Sequence, residues 1–331
     1  MEGAMATDMI PPAAAAAFLA ANGWGGADIL PVAGDASFRR YFRVVDGDRS
    51  AILMDAPPPE EDPRPFIEIA RWLCERGFAA PAIHGADLER GLVLLDDFGD
   101  VRLRETADER SERETGLYEA AIDILVQLRT HEAGPLPPYD RAVLRREANL
   151  LTEWYCPAVG IAGDQAGYDA AWDAVFDVVL AGPRVTVLRD YHSENLMLIG
   201  GGDTLGLLDF QDALAGHPAY DLVSLLQDAR RDVDPALESV MLDRYKRITG
   251  AGEDFDIAYH VLGAQRNAKI VGIFTRLWKR DGKLRYAALC PRVWRYLARD
   301  LAHPALAPVK TWFDANIPAD MRGDPMVISG Q

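Results

Sequence analysis

The apolar positions of this chain follow two periods, and the change from one to the other divides it. Phe38 to Val45 alternates aromatic or branched residues with arginines, a turn follows at Asp46, Gly47 and Asp48, and Ala51 to Met54 is a short apolar run, so the spacing predicts a hairpin. After the proline-rich break from Pro57 to Pro65, Phe66, Ile69, Ala70 and Leu73 fall at helical spacing, closed by Gly77. Leu92 to Leu95 is another strand, ending in Asp96, Asp97 and Phe98. Beyond it the period becomes 3.6 residues over Thr115 to His131, Arg141 to Trp154, Tyr168 to Leu180, Ala219 to Arg230, Pro235 to Thr249 and Phe255 to Arg280. Two short strands interrupt these helices, Val185 to Leu188 and Thr204 to Asp209. Pro11 to Ala21 reads as a short surface helix. The predicted architecture is α+β, with a small sheet-rich lobe over residues 1–98, a larger helical lobe over 99–331, and a hinge near 98.

Composition removes several function classes. The 331 residues carry 35 Lys and Arg against 51 Asp and Glu, a formal charge of −16, which disfavours nucleic acid and anionic membranes as partners. The uncharged stretch from Met9 to Ala27 is broken by Pro11, Pro12, Asn22, Gly23, Gly25 and Gly26, so it predicts no membrane span. Three scattered cysteines, Cys74, Cys156 and Cys290, form neither a disulfide framework nor a zinc pattern, and fit reduced thiols in a cytoplasm. Only five of the basic residues are lysines and the first is Lys246, which excludes any function that needs an earlier lysine.

The chemistry concentrates between Val185 and Asp221. An apolar strand delivers Asp190 into a polar loop, Asn195 follows five residues later, and a glycine-rich turn leads to a second strand that delivers Asp209. Carboxylates a few ångströms apart repel by about 4 kcal/mol at an effective dielectric near 20, so the group calls for a divalent cation, and oxygen-only ligands favour Mg2+ over zinc. This D-x4-N loop followed by a further Asp resembles the catalytic core of protein-kinase-like enzymes. More closely, RDYHSENLML, LLDFQDA and YDLVSLL resemble the aminoglycoside phosphotransferase family of small-molecule kinases. That resemblance implies a bilobal kinase-like fold with ATP and Mg2+. It implies Asp190 as the base that orients and deprotonates the acceptor hydroxyl, Asn195 and Asp209 as metal ligands, and Asp221 as a buried brace of the catalytic loop. Leu188 stands where the family usually has a histidine. Asp221 follows Asp209 by only twelve positions, with no activation segment, so a small acceptor is expected rather than a polypeptide.

The nucleotide end departs from the usual patterns, with no Walker A and no G-x-G-x-x-G. Gly34, Asp35, Ser37 and Phe38 open the first hairpin where a phosphate-covering loop belongs. Met54 occupies the position of the usual phosphate-pairing lysine, so an arginine must replace it. Alternation places Arg39, Tyr41 and Arg43 on one strand face, with Arg39 nearest the loop. By resemblance, adenine lies against Asp96, Asp97 and Phe98.

For the acceptor, GDASFRRYFRV, LMDAPPPEED, EANLLTEWY and AQRNAKIVGIFTRLWKRDGKLRY resemble a branch of the family whose members phosphorylate N-acetylated amino sugars of the bacterial cell wall at C1. That implies a small sugar substrate and leaves protein partners open. From Arg266 to Arg299 there are ten basic residues and one acidic, Asp281, which suits an anionic acceptor. Arg266, Asn267, Glu153, Trp154, His192 and Asp212 are the candidate sugar contacts, although Trp154 fits the core equally well. Two other readings stay open: a kinase of another small alcohol, such as an aminoglycoside, choline or homoserine, and a weakly active nucleotide-binding regulator.

Overall fold

The computed structural model describes residues 10–32 and 39–330. Gly34, Asp35, Ser37 and Phe38 lie outside them. The chain divides into two compact units, Met1–Thr106 with Glu194–Asp212, and Ala107–Ser193 with Ala213–Gln331.

The first unit is built on a five-stranded antiparallel sheet in the order β1-β2-β3-β5-β4, formed by β1 (Asp28–Val32), β2 (Arg40–Asp46), β3 (Arg49–Asp55), β4 (Ile83–Asp87) and β5 (Leu92–Asp96). The predicted hairpin is β2 and β3, turning at Gly47 with φ of 61°. Phe42, Val44, Ala51, Leu53, Leu92 and Leu94 form one buried face, and the helix Ala15–Ala21 covers it with Ala15 and Leu19. That helix is a surface element with one edge on the core, since Ala16, Ala17, Ala20 and Ala21 are exposed. Two strands carry no apolar alternation and escape the sequence pattern. β1 contains Pro31 and β4 is polar, as sheet edges tolerate.

A second hairpin, β7 (Leu196–Ile199) and β8 (Thr204–Leu207), belongs to the same unit. Backbone bonds tie it in, from Leu198 N–H to Val101 O (2.8 Å) and from Leu207 N–H to Ala79 O (2.8 Å). Phe210 stacks on Phe66 of the helix Arg64–Cys74 with centroids 5.0 Å apart.

The second unit is helical around Glu253–Lys279, which is buried through most of its length. Such a helix is expected to be apolar all round. Here Gln265, Arg266, Asn267 and Lys269 interrupt that pattern, and each has a buried polar partner. Two predicted helices are broken. The run from Arg141 to Trp154 becomes the helix Arg141–Ala148 and a wider π turn, Leu151–Tyr155, in which Leu151 and Tyr155 are buried. The run from Tyr168 to Leu180 separates into Gln165–Asp173 and Asp177–Ala181. The two apolar strands read as delivering Asp190 and Asp209 lie in different hairpins, because β6 (Val185–Val187) pairs with β9 (Leu214–Gly216) while β8 pairs with β7. Among the described residues no helix is long and apolar enough to cross a membrane.

Candidate active site

Asn195 and Asp209 belong to the first unit and Asp190 to the second. In the first, β8 stops at Leu207 because Leu208 N–H turns to donate to Asn195 O (3.0 Å), and Asp209 then adopts a left-handed backbone with φ of 59°. Such a φ is costly for residues other than glycine, and Asp and Asn bear it best. It places the exposed Asp209 carboxylate beside the Asn195 amide, with Nδ2 3.3 Å from Oδ2, while Gln211 Nε2 donates to Oδ1 (2.9 Å). Gln211 was not singled out from the sequence, where nothing distinguishes it from an ordinary loop amide.

Among the described residues no cluster of three or more His, Cys, Asp or Glu suits a metal. An amide oxygen and one carboxylate form a hard, incomplete oxygen set. Such a set fits Mg2+, which usually keeps several waters and binds through one or two carboxylates plus substrate phosphates.

The same unit sorts the arginines. Burial pushes the Tyr41 phenol up; Arg39 beside it counteracts this, and the carboxylates of Asp209 and Glu61 add to it. Arg39 hydrogen-bonds the Tyr41 hydroxyl, with its Nε also 3.6 Å from Glu61, and the charge of Asp209 acts on the same phenol. Arg43 is committed elsewhere: Nε donates to Asp97 (2.7 Å), and Nη1 and Nη2 donate to Asp100 (2.8 and 2.9 Å). Arg40, on the opposite face, pairs with Asp55 through Nε (2.8 Å). Met54 is wholly buried on β3 between Tyr41 and Val93. Of the hinge residues, Asp96 accepts from Ala82 N–H (3.1 Å), and Phe98 packs over Gly206, where an added Cβ would stand 2.6 Å from the ring. Asp212 is exposed.

In the second unit the loop after β6 turns sharply at Arg189, whose φ is 71°. Asp221, 2% exposed, accepts from the backbone N–H groups of Leu188 (2.7 Å) and Arg189 (2.9 Å) and so pins the turn. Burial pushes the Asp221 carboxyl up to about 7, with those two N–H groups and Arg266 acting against it. Leu188 fills its place as a buried apolar residue. A second brace, unforeseen, is Asp228, which accepts from Ser193 Oγ (2.5 Å) and Ser193 N–H (3.2 Å). It lies two residues past the end of the helix Ala219–Leu226 that carries Asp221, so helical spacing does not single it out.

Burial raises the Asp190 carboxyl, but the positive charge around it, Lys269 foremost with Arg266 and Arg189, outweighs it and holds the group below the usual carboxylate range. His192 is itself pushed down to about 4, by burial and by Arg230. It is thus neutral near pH 7, and the three fixed cations keep Asp190 ionised.

The sugar candidates separate by exposure. Glu153 is exposed and Trp154 half-buried, both on the π turn, a feature frequent at functional sites. His192 is buried, with Nε2 3.1 Å from Arg230 Nη1. Arg266 is 3% exposed and donates to Ser224 Oγ (2.7 Å). Asn267 has no exposed surface and engages Gln227 (2.6 Å) and Asp300 (3.3 Å).

The profile of the phosphotransferase enzyme family matches residues 28–258. The chain is 43% identical to an N-acetylmuramate/N-acetylglucosamine kinase of Pseudomonas aeruginosa, covering 87% of this chain and 89% of that protein. It is 38% identical to a protein of the same name from Caulobacter vibrioides, over 94% and 98% of the two chains. Among solved structures, choline kinase LicA of Streptococcus pneumoniae superposes with a TM-score of 0.59 at 12% identity, over 85% of this chain and 93% of that one, a likeness of fold.

Proposed function

Because this chain belongs to the phosphotransferase enzyme family, we propose that it is an ATP-dependent kinase of N-acetylmuramate and N-acetylglucosamine, transferring the γ-phosphoryl group to the anomeric hydroxyl at C1 in peptidoglycan recycling. The observation that carries the substrate is the 38–43% identity to kinases named for these two sugars over at least 87% of the chain. The fold alone is shared with a choline kinase and does not choose an acceptor.

In this reading Asp190 accepts the proton of the C1 hydroxyl as its oxygen bonds to the γ-phosphorus, and the bond from that phosphorus to the bridging oxygen of ADP breaks. Asp190 suits the role because nearby cations keep it ionised. Asn195 and Asp209 would hold Mg2+, which supplies charge neutralisation at the phosphates. Arg39, bonded to the Tyr41 phenol on which Asp209 also acts, takes the place of the missing lysine. Five peptide units connect Asp190 to Asn195, a tether of no more than about 18 Å. Phe98 and the backbone of Asp96 and Asp97 would face adenine. Glu153 and Trp154, with Asp212, would meet the sugar. The cellular setting is the cytoplasm, where both ATP and recycled sugars are available.

Phosphorus NMR on the purified protein with ATP, Mg2+ and a panel of sugars and amino alcohols tests this. The expected product is a C1 phosphate with loss of reducing-end reactivity. Phosphate on any other hydroxyl, or on choline or an aminoglycoside instead, would overturn the assignment.

A further inference from the structure

A chain with only five lysines buries one of them in its helical unit. Lys269 is 9% exposed, with Nζ 3.1 Å from Glu147 Oε1 and 3.1 Å from the Tyr220 hydroxyl. Lysine is almost never buried without such pairing. Glu147, 5% exposed, also receives the Arg189 guanidinium and the Tyr139 hydroxyl. One carboxylate therefore joins two cations, each brought by a different element: the helix Glu253–Lys279 and the loop that carries Asp190.

Arg189 is held through its backbone N–H, its backbone carbonyl and one end of its guanidinium. Its N–H donates to Asp221 (2.9 Å), its carbonyl accepts from Ser224 Oγ (3.2 Å), and its guanidinium binds Glu147. Ser224 is in turn held by Arg266 Nη2 (2.7 Å), one helical turn before Lys269 on the same face. Both cations lie over the Tyr220 ring, at 5.9 and 5.7 Å from its centroid. Tyr220 immediately precedes the brace Asp221. The anchors of one strained residue thus converge on a single turn of the central helix. That residue, with φ of 71°, sets the direction in which the next one, Asp190, leaves the turn.

We infer that Glu147 and Lys269 are positioning residues for the phosphoryl-transfer step, acting through Arg189 to hold the left-handed turn that presents Asp190. The inference rests on the reading of Asp190 as the acceptor base. Neither residue needs to touch ATP or sugar. Their loss should therefore appear in kcat and in the order of the loop, leaving KM in place.

The test compares wild type with Lys269→Met, Lys269→Arg and Glu147→Gln, measuring kcat, both KM values and hydrogen exchange of the Leu188–Tyr191 amides. Lys269→Met removes the second cation from Glu147 and so loosens its hold on Arg189 without deleting the carboxylate, and it carries the test if Glu147→Gln fails to fold. Expected for Lys269→Met and Glu147→Gln are a fall in kcat of about tenfold to a hundredfold, as for other supporting-shell residues, with KM within about twofold. Exchange should quicken in that loop alone, and Lys269→Arg should restore most of kcat. Wild-type kcat and wild-type loop protection in Lys269→Met would overturn the inference, as would a loss confined to the sugar KM. Slowed turnover explained wholly by a smaller folded fraction, with uniform exchange changes, would also overturn it. If the wild type phosphorylates no sugar, the reading of function fails, and the loop-exchange comparison still decides the positioning role.

Discussion

Asn195 and Asp209 meet with Nδ2 3.3 Å from Oδ2 at a point where Asp209 holds a φ of 59°. Arg189 and Asp209 are the non-glycine residues with positive φ among those described, and each borders the proposed chemistry. Strain of this kind costs of the order of 1–3 kcal/mol and persists where the surroundings enforce it. Asp209→Asn keeps a residue that tolerates the left-handed backbone and removes only the charge. We expect it to lose Mg2+-dependent ATP affinity by at least about thirtyfold, roughly 2 kcal/mol, the scale of one charge-assisted contact. Titration calorimetry with and without Mg2+ checks this, and an unchanged metal dependence would remove Asp209 from the metal site.

The two arginines on the face of β2 separate into different roles. Arg39 bonds Tyr41 and lies beside Glu61, whereas Arg43 is spent on Asp97 and Asp100. Arg39→Gln should raise the ATP dissociation constant about tenfold with little change in melting temperature. Arg43→Gln should instead cost about 1–2 kcal/mol of stability, since its pairing with the nearly buried Asp97 carboxylate is lost while that with the exposed Asp100 contributes little. Equal nucleotide defects in the two variants would contradict the division.

Legibility followed the locality of the signal. Asp190, Asn195 and Asp209 stand at a spacing set by one loop and one hairpin, so a linear pattern is enough to propose them. Met54 in place of lysine was equally plain, because it stands on a strand with a clear apolar run. The edge strands β1 and β4 gave no alternation to read: β1 is a run of Ile29, Leu30, Pro31 and Val32 behind one Asp, and β4 carries His84 and Asp87 on a strand of five. The cluster of Glu147, Arg189 and Lys269 is drawn from three separate segments, and no spacing in the chain announces it. Burial likewise distinguishes Asn267, which is enclosed, from Glu153, which is open, a difference helical periodicity blurs on a helix buried on all sides.

Two buried groups should tilt stability against pH in opposite directions. His217 accepts the Ala219 N–H at Nδ1 (3.2 Å), which requires the neutral ring, and burial with Arg129 nearby pushes it down to about 4. Its depressed folded value means the contribution is full above about 6.5, the unfolded value, and is lost as pH falls through 4; it amounts to roughly 3 kcal/mol. Asp221, raised to about 7 by burial, contributes fully below its unfolded value and loses that contribution as pH rises through 7. Thermal melts from pH 4.5 to 8 should show His217→Gln gaining stability relative to wild type on acidification, and Asp221→Asn gaining it toward high pH. Profiles parallel to wild type in both variants would show that neither burial governs the titration.

Gly272 lies where the central helix meets the segment that opens the π turn. A Cβ at this position would stand 2.3 Å from both the carbonyl carbon and the oxygen of Leu150, and 2.7 Å from its Cβ. Those are backbone atoms, which cannot swing aside as a side chain can. Alanine is favoured over glycine in a helix interior by about 1 kcal/mol, so propensity alone predicts stabilisation. Overpacking against a fixed backbone costs about 1–3 kcal/mol and occasionally more, and should win. Gly272→Ala is therefore expected to lose about 2 kcal/mol in urea unfolding. Because Leu151–Tyr155 follows Leu150 directly, the displaced turn carries Glu153 and Trp154 with it. Sugar KM should then rise several-fold while ATP KM holds. A gain in stability would mean that the helix and Leu150 have room to part, and an unchanged sugar KM would take Glu153 and Trp154 out of the acceptor site.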